Sequence, residues 1–290
     1  MHETTDRASI NAIAPPIAQP YLPAIMIPAL APRRYGPVNW IGLWTLYRKE
    51  VRRFLAVGTQ TVLAPMVTTL LFLAVFVLAL GHSVELVGGV PYMEFLAPGL
   101  IMMAMTQNAF ANASSSLMIA KIQGNIVDLL MPPLSALEIT LGLALGGLTR
   151  GIVVGVATAA GIWVFVPLHA AHIGALLFYG VMASLMLAQL GVIAGIYADK
   201  FDHMAAVTNF IITPLAFLSG TFYSTERLPE FGRLLAHLNP FFYMIDGFRF
   251  GMIGHADGSL LLGALALIGV NAALLIANYL SFQRGSRLKA

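Results

Sequence analysis

The chain of 290 residues is dominated by apolar side chains, which make up 58% of it, whereas charged residues make up only 10%. Soluble domains carry about 25% charged residues, so this composition excludes a water-soluble globular fold and indicates a protein embedded in a membrane. The net charge is +3, and the few cations lie beside apolar segments. This placement favours an unequal distribution of cations between the two membrane surfaces over nucleic-acid binding. The chain contains no cysteine, so it can form neither a disulfide nor a thiolate metal site.

The first 37 residues differ in composition from the rest of the chain. Prolines recur throughout this segment and prevent a continuous helix. We therefore predict a Pro-rich, disordered cytoplasmic tail over 1–37 and one transmembrane domain over 38–290. Glu3 and Asp6 occupy the region that is basic in a signal peptide, so a cleaved targeting segment is the less favoured alternative.

An amphipathic helix is predicted over 39–55. Apolar and aromatic residues recur at helical spacing on one face of this segment, and cations occupy the opposite face. Such a helix lies in the membrane interface, with its cations toward anionic lipid or a protein partner. The residues assigned to this interface helix are Trp40, Trp44, Arg48, Lys49, Glu50, Arg52 and Arg53.

Six apolar segments follow, each with roughly the 20 residues that a membrane-spanning helix needs. Their approximate bounds are 59–80, 95–119, 139–166, 173–197, 203–222 and 260–282. Lys and Arg lie before the first segment, in the even-numbered connections and at the C-terminus, so the positive-inside rule places both termini in the cytoplasm. The predicted fold class is an all-α polytopic membrane protein with six transmembrane helices.

The connection between the fifth and sixth segments, over 226–254, is itself strongly apolar. It contains two helical patterns that are each too short to span a membrane, and Asn239-Pro240 separates them. We predict a re-entrant helical hairpin that dips into the outer leaflet. The alternative is an ordinary surface loop with amphipathic helices.

Polar side chains interrupt two of the predicted spans. Asn108, Asn112 and Ser115 fall on one face of the second span, and Asn209 and Thr213 lie in the fifth. Such residues either line a translocation path or form hydrogen bonds between helices.

Arg150 is the one full charge well inside a predicted span. A charge near the bilayer centre costs at least ~2.5 kcal/mol, so we expect Arg150 to face protein or water and to have a partner. The expected partner is Glu94, Glu226 or Asp246 from the outer side, and the alternative is an anionic substrate headgroup.

The sequence lacks the motifs of a nucleotide-hydrolysing or metal-dependent enzyme. It contains no Gly-x-x-x-x-Gly-Lys-Ser/Thr phosphate loop, no His-Glu-x-x-His zinc motif and no Gly-x-Ser-x-Gly nucleophile elbow. We therefore predict that the chain is not an enzyme and binds no cofactor or metal itself.

Four segments carry a family resemblance, and they are 92–100, 125–135, 213–224 and 238–249. In this order they resemble the membrane subunits of type-2 ABC exporters, over about 40–287. The resemblance implies that the first cytoplasmic loop, 121–135, forms a coupling helix that docks into a separate ATPase, which would hold the ATP and Mg²⁺. A solvated connecting loop is the alternative. The implied coupling residues are Lys121, Asn125, Asp128, Leu129 and Pro132, with a second contact at Asp199, Lys200 and Asp202.

The resemblance further implies a permease of the bacterial inner membrane, in which two permease copies, expected as a homodimer, assemble with two ATPase subunits and contact membrane lipids. The expected substrate is lipid-like, a glycan or amphipathic. A secondary transporter driven by an ion gradient is the alternative, although such a protein normally has carboxylates inside its spans. A membrane-embedded transferase using His169 and His172 is a further alternative.

Overall fold

The computed structural model describes residues 36–80, 86–87, 89–225 and 228–285, and these form a predominantly helical membrane-type bundle. The predicted tail over 1–37 lies outside the described residues except for its last two. The helices are α1 (Trp40–Leu55), α2 (Ala64–Leu80), α3 (Tyr92–Ile122), α4 (Ile126–Leu130), α5 (Ala136–Trp163), α6 (Ile173–Tyr197), α7 (Phe201–Val207), α8 (Thr213–Leu218), α9 (Glu230–Leu238), α10 (Pro240–Ile253) and α11 (Leu260–Arg284). A short antiparallel pair, β1 (Leu86–Val87) and β2 (Val90–Pro91), precedes α3.

Five helices of the described chain are long and apolar enough to cross a membrane, and they coincide with five of the six predicted spans. Their bounds are Thr59–Ala79, Ala136–Trp163, Ile173–Tyr197, Phe201–Leu218 and Leu260–Arg284. The remaining predicted span corresponds to α3, which is one continuous helix of 31 residues. Its apolar sequence is interrupted by the polar residues between Thr106 and Asn112, and α3 is not among the five. The six-span count therefore stays a prediction.

The α3 helix forms the centre of the bundle and packs against α2, α5, α6 and α10. Glycines on the neighbouring helices let these backbones approach closely. A Cβ atom at Gly191 of α6 would lie 2.5 Å from the carbonyl oxygen of Phe110, and one at Gly147 of α5 would lie 2.8 Å from that of Ala109. Small residues at helix contacts are the usual device for close packing in membranes.

Two of the spans, Thr59–Ala79 and Phe201–Leu218, are scarcely covered by the rest of the described chain, with only 11% of each apolar window buried. Each contains a π-helical turn, Thr59–Leu63 in one and Thr208–Ile212 in the other, and a proline follows each turn at the same distance. Proline cannot donate the usual helical hydrogen bond, and its ring crowds the carbonyl one turn earlier. A widened turn relieves this crowding, so Pro65 and Pro214 explain why both helices are irregular.

The segment predicted as a re-entrant hairpin forms the two helices α9 and α10, which meet at Asn239. The side-chain oxygen of Asn239 accepts from the backbone N–H of Phe241, 3.0 Å away, and Pro240 begins the second helix. Eleven of the fourteen residues of α10 are buried, which differs from an ordinary surface loop. In contrast, α9 exposes its apolar face, and its entry into the membrane stays a prediction.

Candidate functional site

A polar cleft of about 520 Å³ opens between the start of the first span, α3 and α5. Its polar lining residues are Gln60, Thr61, Thr68, Thr69, Gln107, Asn108 and Arg150, and we call this site the polar cleft. The lining residues of the first span form pairs spaced four positions apart, with Ala64 and Pro65 between the two polar pairs, so they lie on one face of that helix. The remaining lining is apolar and includes Phe72, Leu100 and Met103.

Arg150 is held in the polar cleft by an amide rather than by a carboxylate. Its Nη2 atom donates to Oδ1 of Asn108 over 3.0 Å, and its buried Nε atom has no hydrogen-bond partner among the described residues. The prediction of Glu94 or Asp246 as its partner is wrong, because the ion pairs found in the described chain are Arg53 with Glu50 and His255 with Asp257. Glu226, the other predicted partner, lies outside the described residues.

Asp246 is unavailable to Arg150 because it is engaged elsewhere. Its two carboxylate oxygens accept from the backbone N–H groups of Asp257 and Gly258, at 2.7 and 3.0 Å. These bonds tie Asp246 of α10 to the connection that precedes α11.

A second polar group joins α1 to α3, beside the polar cleft. Glu50 is fully buried, and its carboxylate accepts from Arg53 at 3.1 Å and from Oγ of Ser116 at 2.7 Å. Arg53 also donates to Oδ1 of Asn112 at 3.0 Å and to Oγ of Ser115 at 3.2 Å. The two predicted path residues Asn112 and Ser115 therefore bind a residue that the sequence assigns to the interface helix.

The other residues assigned to the interface helix remain at the surface of the described chain. Trp40 and Trp44 are 71% and 61% exposed, and the cations Arg48, Lys49 and Arg52 are exposed as well. Glu50 and Arg53 face inward. Leu46, Glu50 and Phe54 are spaced four residues apart and form the buried side of α1. The exposed cations lie on a different side of the helix.

The structure does not bring Asn209 and Thr213 into the polar cleft. Asn209 is exposed and Thr213 is half-buried, and both lie on the sparsely covered span Phe201–Leu218. The five predicted path residues therefore divide into Asn108 at the polar cleft, a pair bound to Arg53, and a pair on the fifth predicted span.

The first predicted cytoplasmic loop contains the short helix α4, which has an anchored and an exposed side. Ile126 and Leu129 are only 1% and 6% exposed and pack into the core. Val127, Leu130 and Met131 are 51%, 39% and 76% exposed, and Asp128, Asn125 and Pro132 are exposed too. We call Val127, Asp128, Leu130 and Met131 the α4 outer face.

Two of the predicted coupling residues face the protein itself. Leu129 anchors α4, and Nζ of Lys121 donates to the carbonyl oxygens of Ile196 and Ala198, the latter at 3.1 Å. These carbonyls end α6, where a cation complements the helix dipole. Lys121 therefore ties the first predicted cytoplasmic loop to the second, in which Asp199, Lys200 and Asp202 are all exposed.

A buried cluster at the other end of the bundle is absent from the sequence predictions. Arg249 is 1% exposed, its Nη2 atom donates to the carbonyl oxygen of Gly220 at 2.7 Å, and its guanidinium carbon lies 3.9 Å from the ring centroid of Phe95. Asp257 accepts from Oγ of Ser224 at 2.9 Å and from the backbone N–H of Thr225 at 2.7 Å. The cluster fastens the end of the fifth predicted span to α3 and α10.

The same contacts set the charge state of Asp257, which lies between α10 and α11. Burial acts to raise the pKa of the Asp257 carboxyl, but the hydrogen bonds from Ser224 and Thr225 and the nearby charge of Arg249 outweigh burial. The pKa of Asp257 is therefore lowered, and the ionised form is favoured in the folded chain.

Residues 42–253 match the model of the family described as "ABC-2 type transporter". This range includes the polar cleft, α4 and every named residue of the buried cluster except Asp257. The chain belongs to the ABC-2 type transporter family. An ABC-2 protein of this kind is a multi-pass membrane transport subunit of an ABC transporter, and the family generally pairs with an ATPase subunit.

Curated relatives of this ABC-2 chain cover most of its length. It is 36% identical over 255 residues to the inner membrane transport permease YadH of Escherichia coli K12, across 87% of this chain and 98% of that one. It is 28% identical over 237 residues to the nodulation protein J of Neorhizobium galegae, across 80% of this chain and 88% of that one. The nodulation protein J of Rhizobium leguminosarum bv. trifolii is likewise 28% identical, across 76% and 83%.

Proposed function

We propose that this chain is the permease subunit of an ATP-driven exporter, which moves a lipid-like, glycan or amphipathic substrate out across the bacterial inner membrane. In this proposal two copies of the permease pair with two copies of an ATPase subunit, and the ATPase subunits hold the ATP and Mg²⁺. In this proposal α3 is the second of six spans, so both termini lie on the same side of the membrane, and the distribution of Lys and Arg favours the cytoplasmic side. The inner-membrane location is supported by the name of the YadH relative.

The observation that carries the proposal is the α4 outer face. A short helix that leaves Val127, Leu130 and Met131 exposed on a connection predicted to be cytoplasmic presents uncovered apolar area, which favours burial against a protein partner. Its opposite side is fixed in the core by Ile126 and Leu129, so force applied to the outer face reaches α3 and α5 without being absorbed by a loose loop. Lys121 extends this support to the end of α6.

A movement of α4 can reach the polar cleft because short connections join α4 to α3 on one side and to α5 on the other. The α3 helix precedes α4 by three residues and carries Asn108, and α5 follows α4 after Ser135 and carries Arg150. A displacement of α4 therefore acts on both helices that hold the Arg150–Asn108 pair. ATP drives such a change only if the nucleotide-bound ATPase prefers one of the two permease states.

Co-purification with the ATPase partner tests the coupling surface. Met131→Glu places a charge on the α4 outer face, and Gln123→Glu is the matched control because Gln123 is exposed on the same connection outside that face. We expect Met131→Glu to weaken ATPase binding at least about tenfold, because burying an unpaired carboxylate in an interface is costly. Gln123→Glu should bind the ATPase like the wild type. Equal binding by both variants would contradict the proposed coupling role of α4.

A further inference from the structure

The charges around the polar cleft do not balance. Arg150 is the one cation among the lining residues, and the lining contains no carboxylate. Glu50, the carboxylate of the neighbouring polar group, is already bonded to Arg53 and Ser116. The described part of the chain therefore presents one uncompensated positive charge to a cavity inside the bundle.

The position of Arg150 makes this imbalance costly. It lies midway along α5, Ala136–Trp163, at about 20 Å from either end by the helical rise of 1.5 Å per residue. Near the bilayer centre an unpaired arginine is unfavourable and is normally matched by a counter-charge or by a water-filled cavity. Nothing in the described chain supplies the counter-charge, so a bound anion is the simplest way to complete the site.

The guanidinium of Arg150 is prepared for such a ligand. Nδ2 of Asn108 donates to the carbonyl oxygen of Ala104 at 3.0 Å, which turns Oδ1 of Asn108 toward Nη2 of Arg150. This contact fixes one edge of the guanidinium, while Nε remains without a partner in the described chain. Arginine presents its N–H groups in a planar fork that suits phosphate and carboxylate oxygens.

The rest of the polar cleft suits an amphipathic molecule. Hydroxyl and amide groups of Gln60, Thr68 and Gln107 lie near the cation, whereas Phe72, Leu100 and Met103 provide apolar walls. The first span, which forms one wall, is scarcely covered by the described chain, so an apolar tail can leave the cleft toward the membrane without crossing the bundle. A volume of about 520 Å³ is within the range of small-molecule sites.

We propose that the polar cleft binds the anionic group, a phosphate or a carboxylate, of the amphipathic molecule that the permease moves. Arg150 is the anion-binding residue, and Asn108 is its positioning residue. The inference rests on the proposed transport function for the identity of the ligand as cargo. A resident anionic phospholipid has the same chemistry, but its headgroup belongs at the interface, about 15 Å from the bilayer centre, whereas Arg150 lies at mid-span.

Binding of a simple anionic amphiphile to the full-length chain tests the site. The probe is dodecyl phosphate, titrated by thermal shift in dodecyl maltoside micelles, with dodecyltrimethylammonium as the cationic counterpart. We expect the wild type to prefer dodecyl phosphate by at least tenfold, Arg150→Gln to lose this preference, and Arg150→Lys to keep part of it. Arg48→Gln removes an exposed cation of α1 and should behave like the wild type.

Asn108→Asp keeps the test decisive if Arg150→Gln fails to fold. The aspartate has the shape of the native amide and supplies the missing negative charge beside Arg150, so this variant should fold and should no longer prefer dodecyl phosphate. Anion binding by Asn108→Asp or Arg150→Gln at the wild-type level would overturn the proposal, as would a wild type that does not distinguish the anion from the cation.

The source of the ligand is tested by repeating the titration in lipid discs. Discs of phosphatidylcholine alone and discs that also contain phosphatidylglycerol should give the same affinity for dodecyl phosphate. Competition by phosphatidylglycerol would overturn the assignment to transported cargo and would identify a resident phospholipid. These measurements need no ATPase, so a permease that binds dodecyl phosphate but no ATPase would refute the proposed function and leave the anion site standing.

Discussion

Glu50 of α1 is completely buried, and its carboxylate lies 3.1 Å from the guanidinium of Arg53, one helical turn further along. A second carboxylate oxygen accepts from Oγ of Ser116 on α3. The first helix is therefore fastened to the centre of the bundle by a buried carboxylate, in addition to any contact that it makes with the membrane surface.

Removal of this carboxylate should destabilise the fold. Breaking a buried ion pair typically costs about 3–5 kcal/mol, and the partial exposure of Arg53 favours the lower end of that range. We expect Glu50→Ala to lower the midpoint of thermal unfolding in detergent more than Glu50→Gln, which keeps the shape and an acceptor for Ser116. The matched control on the same helix is Arg52→Gln at an exposed position, which should leave the midpoint unchanged. Equal effects of all three substitutions would contradict the buried role of Glu50.

The two neighbouring leucines of α4 should respond in opposite ways. Leu129 is 6% exposed, so Leu129→Ala removes core packing and should cost about 2–5 kcal/mol of local stability. Leu130 is 39% exposed, so Leu130→Ala should change stability by within about 0.5 kcal/mol while weakening ATPase binding. Limited proteolysis of the α4 connection reports the first effect, and pull-down of the ATPase reports the second. Rapid cleavage of the Leu130→Ala variant would contradict the assignment of Leu130 to the exposed side of α4.

Gly191 should tolerate no side chain, because its missing Cβ would lie 2.5 Å from the carbonyl oxygen of Phe110. Overpacking of this kind typically costs about 1–3 kcal/mol, so Gly191→Ala should lower the midpoint of thermal unfolding. Gly174→Ala on the same helix is the control, since its Cβ would meet nothing within 4 Å. A neutral Gly191→Ala variant would show that α3 and α6 are further apart than described.

Stability should fall in acid because of Asp257. Its pKa is lowered in the folded chain, so its contribution is fully present above its unfolded pKa, near 3.8, and is lost as the pH falls through the folded value. We expect the difference in unfolding midpoint between wild type and Asp257→Asn to shrink as the pH falls from about 5 to below 3.8. A difference that is constant over this range would show that ionisation of Asp257 does not contribute.

Much of the architecture follows from local signals in the sequence. The helix predicted over 39–55 is found at Trp40–Leu55, because aromatic spacing and the cap at Asn39 define it locally, and its place in the membrane interface stays a prediction. The break between α9 and α10 falls at Asn239, where a capping side chain and a following proline both favour a new helix. Signals of this kind depend on a few neighbouring residues.

The polar contacts could not be predicted in the same way. Helical spacing places Glu50 between Leu46 and Phe54 on the apolar side of α1, but its partner Ser116 comes from α3 and depends on how the two helices pack. The partner of Arg150 depends on the depth at which α3 and α5 cross, which places Asn108 beside it and leaves Asp246 with the connection before α11. Leu129 and Leu130 are adjacent in a helix of five residues, which is too short for a periodic pattern to show its buried side.

Protection of the α4 outer face by the ATPase tests the central claim most directly. The chain contains no cysteine, so Met131→Cys and Gln123→Cys each provide a single site for a thiol-reactive label. The labelling rate is measured for the full-length permease in lipid discs, alone and with the ATPase subunit trapped by ADP and vanadate. We predict that the ATPase slows labelling at Met131→Cys at least about tenfold and leaves Gln123→Cys within about twofold, as burial in an interface requires. Equal labelling of Met131→Cys with and without the ATPase would contradict the coupling role of α4.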